Sequence, residues 1–349
     1  MIHDRAHPLA LVTGGSGYFG CVMVAALRER GYRVRVLDLI DTPDRPADVE
    51  LIQGDIRDPV VVEQACRDVH VVHHNVAQVP LAKDPRLFRS VNIGGIRLLL
   101  DAALRQGVRK VVNVSSSAVF GIPVRNPVDA SVPPHPREAY GRAKLEAERV
   151  AAAFVDRGLD VTTIRPRTIL GHGRLGIFQI LFELVWRGRP VYVLGGGHNR
   201  YQFVHARDLA DACILAGESP GPAVFNIGAS RFGTMRELVE ALIRHAGTTS
   251  VVRSLPMRPA SLAMWLTGAL GLTPLGPYHA LMYGREMFFD LKEAQSRLGW
   301  QPRYSNEEAI CESYDAYVRD RDEILSRKGA SHHRSPVKQG MLRILQYLP

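Results

Sequence analysis

Tyr140 and Lys144 are four residues apart in Tyr140-Gly141-Arg142-Ala143-Lys144, which places both on one face of a helix. A free tyrosine titrates near 10, too high for an efficient base at neutral pH. An adjacent ammonium and an oxidised nicotinamide both favour the phenolate and bring that value down. Upstream, Val114-Ser115-Ser116-Ser117-Ala118-Val119-Phe120-Gly121 closes an apolar run. A serine there can hydrogen-bond a substrate oxygen while Tyr140 exchanges its proton and a nicotinamide exchanges hydride. A tyrosine and lysine at this spacing are also common on ordinary amphipathic helices, so the pair gains meaning only from what surrounds it.

A phosphate turn supplies that context. Leu9 to Thr13 reads as a strand, followed by Gly14-Gly15-Ser16-Gly17-Tyr18-Phe19-Gly20 and an apolar helix from Val22 to Arg30. Gly14, Gly17 and Gly20 have the dinucleotide spacing: a tight turn, close approach of backbone to pyrophosphate, and close packing of helix on strand each require glycine. Helix amides then face the phosphates. The second strand ends at Asp38, where a carboxylate accepts hydrogen bonds from ribose hydroxyls and repels a 2′-phosphate, so NAD is expected over NADP. Asp55-Ile56, after the third strand, is a candidate adenine site, with an ordinary pre-turn aspartate as the alternative.

To hold these groups the chain needs a parallel sheet. Strands are expected at Leu9 to Thr13, Tyr32 to Asp38, Val49 to Gly54, Val69 to Asn75, Lys110 to Ser115 and Asp160 to Arg165, alternating with helices, and a further strand at Val224 to Gly228. The predicted fold is α/β, a Rossmann-type doubly wound parallel sheet with a smaller C-terminal substrate-binding region. Residues 1–170 form the dinucleotide domain and 171–325 mainly the substrate region, with 224–228 returning to the sheet. Residues 326–349 form a basic, mobile tail.

Composition narrows the function. With 349 residues, 46% hydrophobic and 23% charged, the chain suits an ordinary folded protein rather than a disordered or polytopic one. Net charge is +9, but Arg327, Lys328, Arg334, Lys338 and Arg343 supply five of those charges with no acid among them, and no nucleic-acid-reading motif accompanies them. Nucleic acid is therefore not an expected partner. The basic tail and the apolar Leu342, Ile344, Leu345 and Leu348 raise a peripheral membrane contact as an alternative to simple tail disorder. Cys21, Cys66, Cys213 and Cys311 have no paired spacing and read as reduced thiols, and the neighbouring His73 and His74 lack the ligand set for a metal. The N-terminus has no apolar leader, and 262–289 is too broken by glycine and proline to span a bilayer, so a cytoplasmic location is expected.

The combination resembles the extended short-chain dehydrogenase/reductases of the NAD-dependent epimerase/dehydratase group from residue 9 to about 310. The matching segments are TGGSGYFG at Thr13, GDI at Gly54, VNIGG at Val91, SSSAVFG at Ser115, YGRAK at Tyr140, IRP at Ile164, FVHARDLADA at Phe203, FNIG at Phe225 and LGWQP at Leu298. The resemblance implies Ser116, Tyr140 and Lys144 as catalytic trio, Ser116 being selected because it stands five before Gly121. It implies cofactor contacts at Tyr18, Phe19, Ala77, Pro166 and Asn92, the last with a helix cap as the alternative. Asn75 replaces an alanine of the family pattern near the nicotinamide ribose. A homodimer through Leu87 to Leu104 and Tyr140 to Val155 is also implied.

For the substrate, Ser117, Thr168, Arg200 and Tyr201 are the candidate contacts. Thr168 stands where nucleotide-sugar members carry a diphosphate-binding asparagine, Tyr201 aligns with an arginine of that pattern, and Arg285 and Asp290 have a spacing closer to hydroxysteroid and sterol dehydrogenases. Together with the apolar cap Pro259 to Tyr283, these departures point to a small, lipophilic secondary alcohol or ketone of sterol, ceramide or 3-ketoacyl-lipid type. The alternative is a nucleotide-sugar epimerase or dehydratase with tightly bound NAD, its diphosphate held by Arg167 and Arg200.

Overall fold

The computed structural model describes residues 7–78, 84–270, 272–273 and 281–326. Its centre is a parallel sheet of β1 (Leu9–Thr13), β2 (Arg33–Asp38), β3 (Glu50–Gln53), β4 (Val71–His74), β5 (Lys110–Val114), β6 (Val161–Pro166) and a later strand, Ala223–Ile227. The strand order is Ala223–Ile227, β6, β5, β4, β1, β2, β3. Every expected strand is present with its ends moved by a residue or two. β1 is buried at all five positions, as a strand covered on both faces must be.

The alternation of side chains assigns the two faces. Ala10 and Val12 of β1 face one core with Met23, Val24 and Leu27 of helix α1 (Tyr18–Glu29), together with Leu209 and Cys213 of the helix Ala206–Glu218. Leu9 and Leu11 face the other core, packed with helix α2 (Pro59–Cys66), helix α3 (Ile96–Arg105) and helix α4 (Ala139–Val155). Helices on both faces make the fold doubly wound. Because β1 lies between β2 and β4, the chain changes direction across the sheet there, and a crevice opens at the carboxyl ends of these strands.

A third apolar core lies in the C-terminal half, where Phe178, Phe182, Phe203, Leu242, Tyr314 and Tyr317 pack together. Over the crevice lies the helix Met257–Ala269. Of its large apolar residues, Met264 walls the crevice as the sequence suggested, and others face outward. Ala260, Ala263, Met264 and Thr267 border it, whereas Leu262, Trp265 and Leu266 are 58%, 53% and 46% exposed. The tail from residue 327, including the apolar 341–348, lies outside the described residues. Among the described residues no helix is long and apolar enough to cross a membrane, and no group of His, Cys, Asp and Glu could hold a metal.

Candidate active site

The crevice is a continuous cleft of about 1060 Å³ running from the glycine turn, past Ser116, Tyr140 and Lys144, to the C-terminal core. Its first half is a cradle with unmet polar valences. Helix α1 starts after Gly17 with no side chain capping its amides. A Cβ on Gly20 would lie 2.0 Å from the Gly14 carbonyl oxygen, so glycine is what lets helix and turn approach so closely. Asp38, at the end of β2, accepts hydrogen bonds from the Ser16 amide at 3.0 Å and the Ile40 amide at 3.4 Å, and partial burial raises its pKa. The Asn75 side chain borders the cleft with both its buried amide nitrogen and oxygen unpartnered. An uncapped helix start, a ribose-level carboxylate and an orphaned amide fit a dinucleotide.

Tyr18, Phe19, Ile56, Ala77 and Pro166 also border the cleft, as does Asp55, whose carboxylate is gripped by Arg57 at 2.9 Å. Asn92 does not. Its carbonyl oxygen accepts the Gln78 amide at 2.7 Å and its amide donates to the Gln78 carbonyl at 3.1 Å. It lies inside the π-helical stretch Phe88–Gly95 rather than at a helix start, and its side chain pins the loop that carries Ala77. We expect Asp38→Ala to weaken NAD by about tenfold, the size of one charge-assisted hydrogen bond, and to leave NADP nearly unchanged. Calorimetric titration with both cofactors reads this, and equal losses would remove the ribose assignment.

At the centre, Ser116 and Tyr140 share a hydrogen bond. The three serines divide by partner: Ser115 donates to Glu148 at 2.5 Å, Ser117 accepts from Arg167 at 2.9 Å, and only Ser116 faces the tyrosine. Tyr140 is held at the first turn of α4, where the Glu138 carboxylate accepts the amides of Tyr140 at 2.7 Å and Gly141 at 2.5 Å. Gly141 is required, since a Cβ there would meet the Ala118 carbonyl oxygen at 2.5 Å. Burial pushes the Tyr140 phenol up to about 12, opposed by Ser116 and by the charge of Arg174. Lys144, also buried, is pushed down to about 8 and donates to the Val114 carbonyl at 2.8 Å. In the protein alone the phenol therefore holds its proton at neutral pH. The influences that lower its pKa are the Ser116 hydrogen bond and the charge of Arg174, not Lys144 as the sequence suggested.

In the far half, Thr168 and Tyr201 border the cleft with their hydroxyls 3.3 Å apart. Arg200 is exposed and outside it, its guanidinium 5.0 Å from the Phe232 ring centre and 4.6 Å from that of Phe288. Its guanidinium packs on the two rings away from the cleft, where the sequence had placed a substrate contact. Arg285 donates to its own helix turn at Leu281 and Asp290 accepts the Lys292 amide, so neither reaches the cleft. His73 and His74 are neutral, burial pushing each down to about 3, and His74 pairs with Thr13 at 2.8 Å. The sequence reading missed Glu138 and Arg174. Nothing in local spacing marks either one; Arg174 follows the loop after Gly171 and enters the cleft only because that loop folds back over the glycine turn.

The model of the NAD dependent epimerase/dehydratase family matches residues 10–228. Over 339 residues the chain is 51% identical to the uncharacterized protein y4nG of Sinorhizobium fredii, covering 97% of this chain and 85% of that protein. It is 31% identical to a 3 beta-hydroxysteroid dehydrogenase/Delta 5-->4-isomerase of Mycobacterium tuberculosis, covering 88% and 90%. The fold is similar to a UDP-glucose 4-epimerase of Thermus thermophilus solved in complex with NAD, at TM-score 0.73 and 26% identity, covering 89% and 99%.

Proposed function

Because this chain belongs to the NAD dependent epimerase/dehydratase family and is an NAD-dependent enzyme of the extended short-chain dehydrogenase/reductase type, we propose that it moves hydride to or from a secondary alcohol or ketone of a lipophilic substrate. The observation that carries this reading is the far wall of the cleft. Ile177, Leu181, Leu184, Val193, Val239 and Met264 border it, an apolar surface suited to a hydrocarbon skeleton. Arg200, needed for a sugar diphosphate, lies outside.

The chemistry is divided among Ser116, Tyr140 and Lys144. Ser116 orients the substrate oxygen, and the Tyr140 hydroxyl gives a proton to a ketone or takes one from an alcohol. Lys144 keeps a cationic group one helical turn away, which favours the phenolate when the alcohol is oxidised. NAD, when bound, supplies the hydride acceptor or donor at C4 of its nicotinamide. The apolar wall excludes water from the reacting atoms.

A nucleotide-sugar epimerase or dehydratase is the second reading, favoured by the likeness to UDP-glucose 4-epimerases over nearly the whole chain and by Arg167 at the cleft. The two differ in what happens to the cofactor. We expect purified protein, once denatured, to release far less than one NAD(H) per chain, and the native protein to bind added NAD(H) reversibly and to oxidise or reduce lipid alcohols or ketones. Near-stoichiometric NAD together with interconversion of UDP-sugars would replace the proposal by the second reading. We also propose a homodimer through α3 and α4, read by mass in solution. Peripheral lipid contact through the basic C-terminal tail is read by vesicle flotation.

A further inference from the structure

Four lysine or arginine side chains are buried among the described residues: Lys110, Lys144, Arg167 and Arg174. Three have oxygen partners. Lys110 pairs with Asp160 at 2.7 Å, Lys144 with the Val114 carbonyl, and Arg167 with the Gln202 carbonyl at 3.1 Å and Ser117. Arg174 is 9% exposed, borders the cleft, and has no hydrogen bond or carboxylate partner for its guanidinium among the described residues; its Nε is buried and orphaned. Its neighbours are rings: Tyr18 at 5.4 Å and Phe178 at 5.8 Å from ring centre. Beside it the Tyr18 hydroxyl is likewise buried and unpartnered.

A buried charge without an acceptor is costly, and ring faces offset only part of that cost. Burial lowers the Arg174 pKa to about 10, so the group remains a cation at neutral pH. Its charge acts on Tyr18, on the proton donor Tyr140, and on Tyr283 of the opposite wall. The cation borders the cleft between Tyr18 of the cofactor cradle and Phe178 of the C-terminal core, within electrostatic range of the Tyr140 hydroxyl.

We propose that Arg174, with the Tyr18 hydroxyl, is an acid-binding subsite, and that the substrate is a lipophilic hydroxy or oxo acid whose carboxylate lies within two carbons of the reacting carbon. The inference rests on the oxidoreductase reading above, which by itself leaves the polar end of the substrate open. A planar carboxylate meets the guanidinium fork with two hydrogen bonds in a dry site, where such bonds are strong. A neutral alcohol of the same skeleton would leave the charge unsolvated.

The test uses NAD-loaded full-length protein and calorimetry with pairs that differ only in the charge: 3-hydroxypalmitic acid against its methyl ester, and UDP-glucuronic acid against UDP-glucose. We expect 3-hydroxypalmitic acid to bind at least about tenfold tighter than its ester, a difference of one charge-assisted pair, and an acid preference confined to the UDP-sugar pair overturns the lipophilic substrate. Arg174→Gln should abolish that preference and Arg174→Lys should retain part of it, both with NAD affinity unchanged. No acid preference in either pair overturns the proposal, and wild-type protein alone decides this if the variants do not fold. A folded R174Q protein that loses NAD affinity overturns it too, because the cation would then serve the cofactor diphosphate. Turnover of neutral lipid alcohols without acid preference would leave the oxidoreductase reading standing alone. Arg174-dependent acid binding without hydride transfer to NAD would sink that reading and leave the subsite.

Discussion

Tyr140→Phe should yield a folded protein that binds NAD as the wild type does and turns over about 10²- to 10⁴-fold more slowly, the usual worth of a positioned proton donor. The ring is buried and meets Phe88 edge-on at 6.1 Å, a contact that phenylalanine preserves. What disappears is the hydroxyl that Ser116 orients. With the phenol pushed up to about 12 in the protein alone, its charged form is scarce at neutral pH. Oxidation of an alcohol, which needs the phenolate, should therefore speed up as pH rises; ketone reduction, which needs the phenol, should not. Steady-state rates of wild type and Y140F across pH, alongside NAD titration, read all of this. Unchanged turnover in Y140F would remove Tyr140 as the proton donor.

The second large effect is expected at Gly20. In Gly20→Ala the new methyl would lie 2.0 Å from the Gly14 carbonyl oxygen and 2.7 Å from the Gly15 Cα. Both obstacles are backbone, so no side chain can turn aside, and either α1 must slide away from the sheet or the turn must open. Either movement takes the helix amides from the place where a pyrophosphate would meet them. We expect NAD affinity to fall by about a hundredfold or more and Tm to drop by several degrees, a large effect for one methyl. Titration calorimetry and thermal melting report the two losses. Wild-type affinity in G20A would mean that the dinucleotide lies elsewhere in the cleft.

Much of the site was readable from local pattern. The glycine spacing, the carboxylate at Asp38 and the Tyr140–Lys144 pair depend on contacts within a turn, at one strand end and along one helical face, and such contacts leave their period in the chain. Ser116 needed more: its spacing from Gly121 selects it only through the family resemblance, and the physical distinction among the three serines lies in their partners Glu148, Tyr140 and Arg167. Asn92 and Arg200 lie away from the cleft lining for the complementary reason. Each sits in a familiar segment, yet one is spent on Gln78 and the other lies against Phe232 and Phe288, partners far from it in the chain or belonging to a neighbouring loop.

The cap helix makes the same point about faces. Its run of large apolar residues reads as a pocket wall, but the packing turns the small residues Ala260 and Ala263 inward and leaves Leu262 and Trp265 outside. Periodicity says that a helix has two faces, not which one the tertiary structure will bury. So the parallel sheet, the glycine turn and the tyrosine–lysine pair on one helical face were determined by the sequence alone, because backbone geometry and short-range spacing dictate them. Tertiary structure decided which serine meets the tyrosine, which arginine enters the cleft, and that Arg174 is left there without an acceptor. Those outcomes depend on segments more than twenty residues apart meeting in a low-dielectric space, where a missing partner is as consequential as a present one.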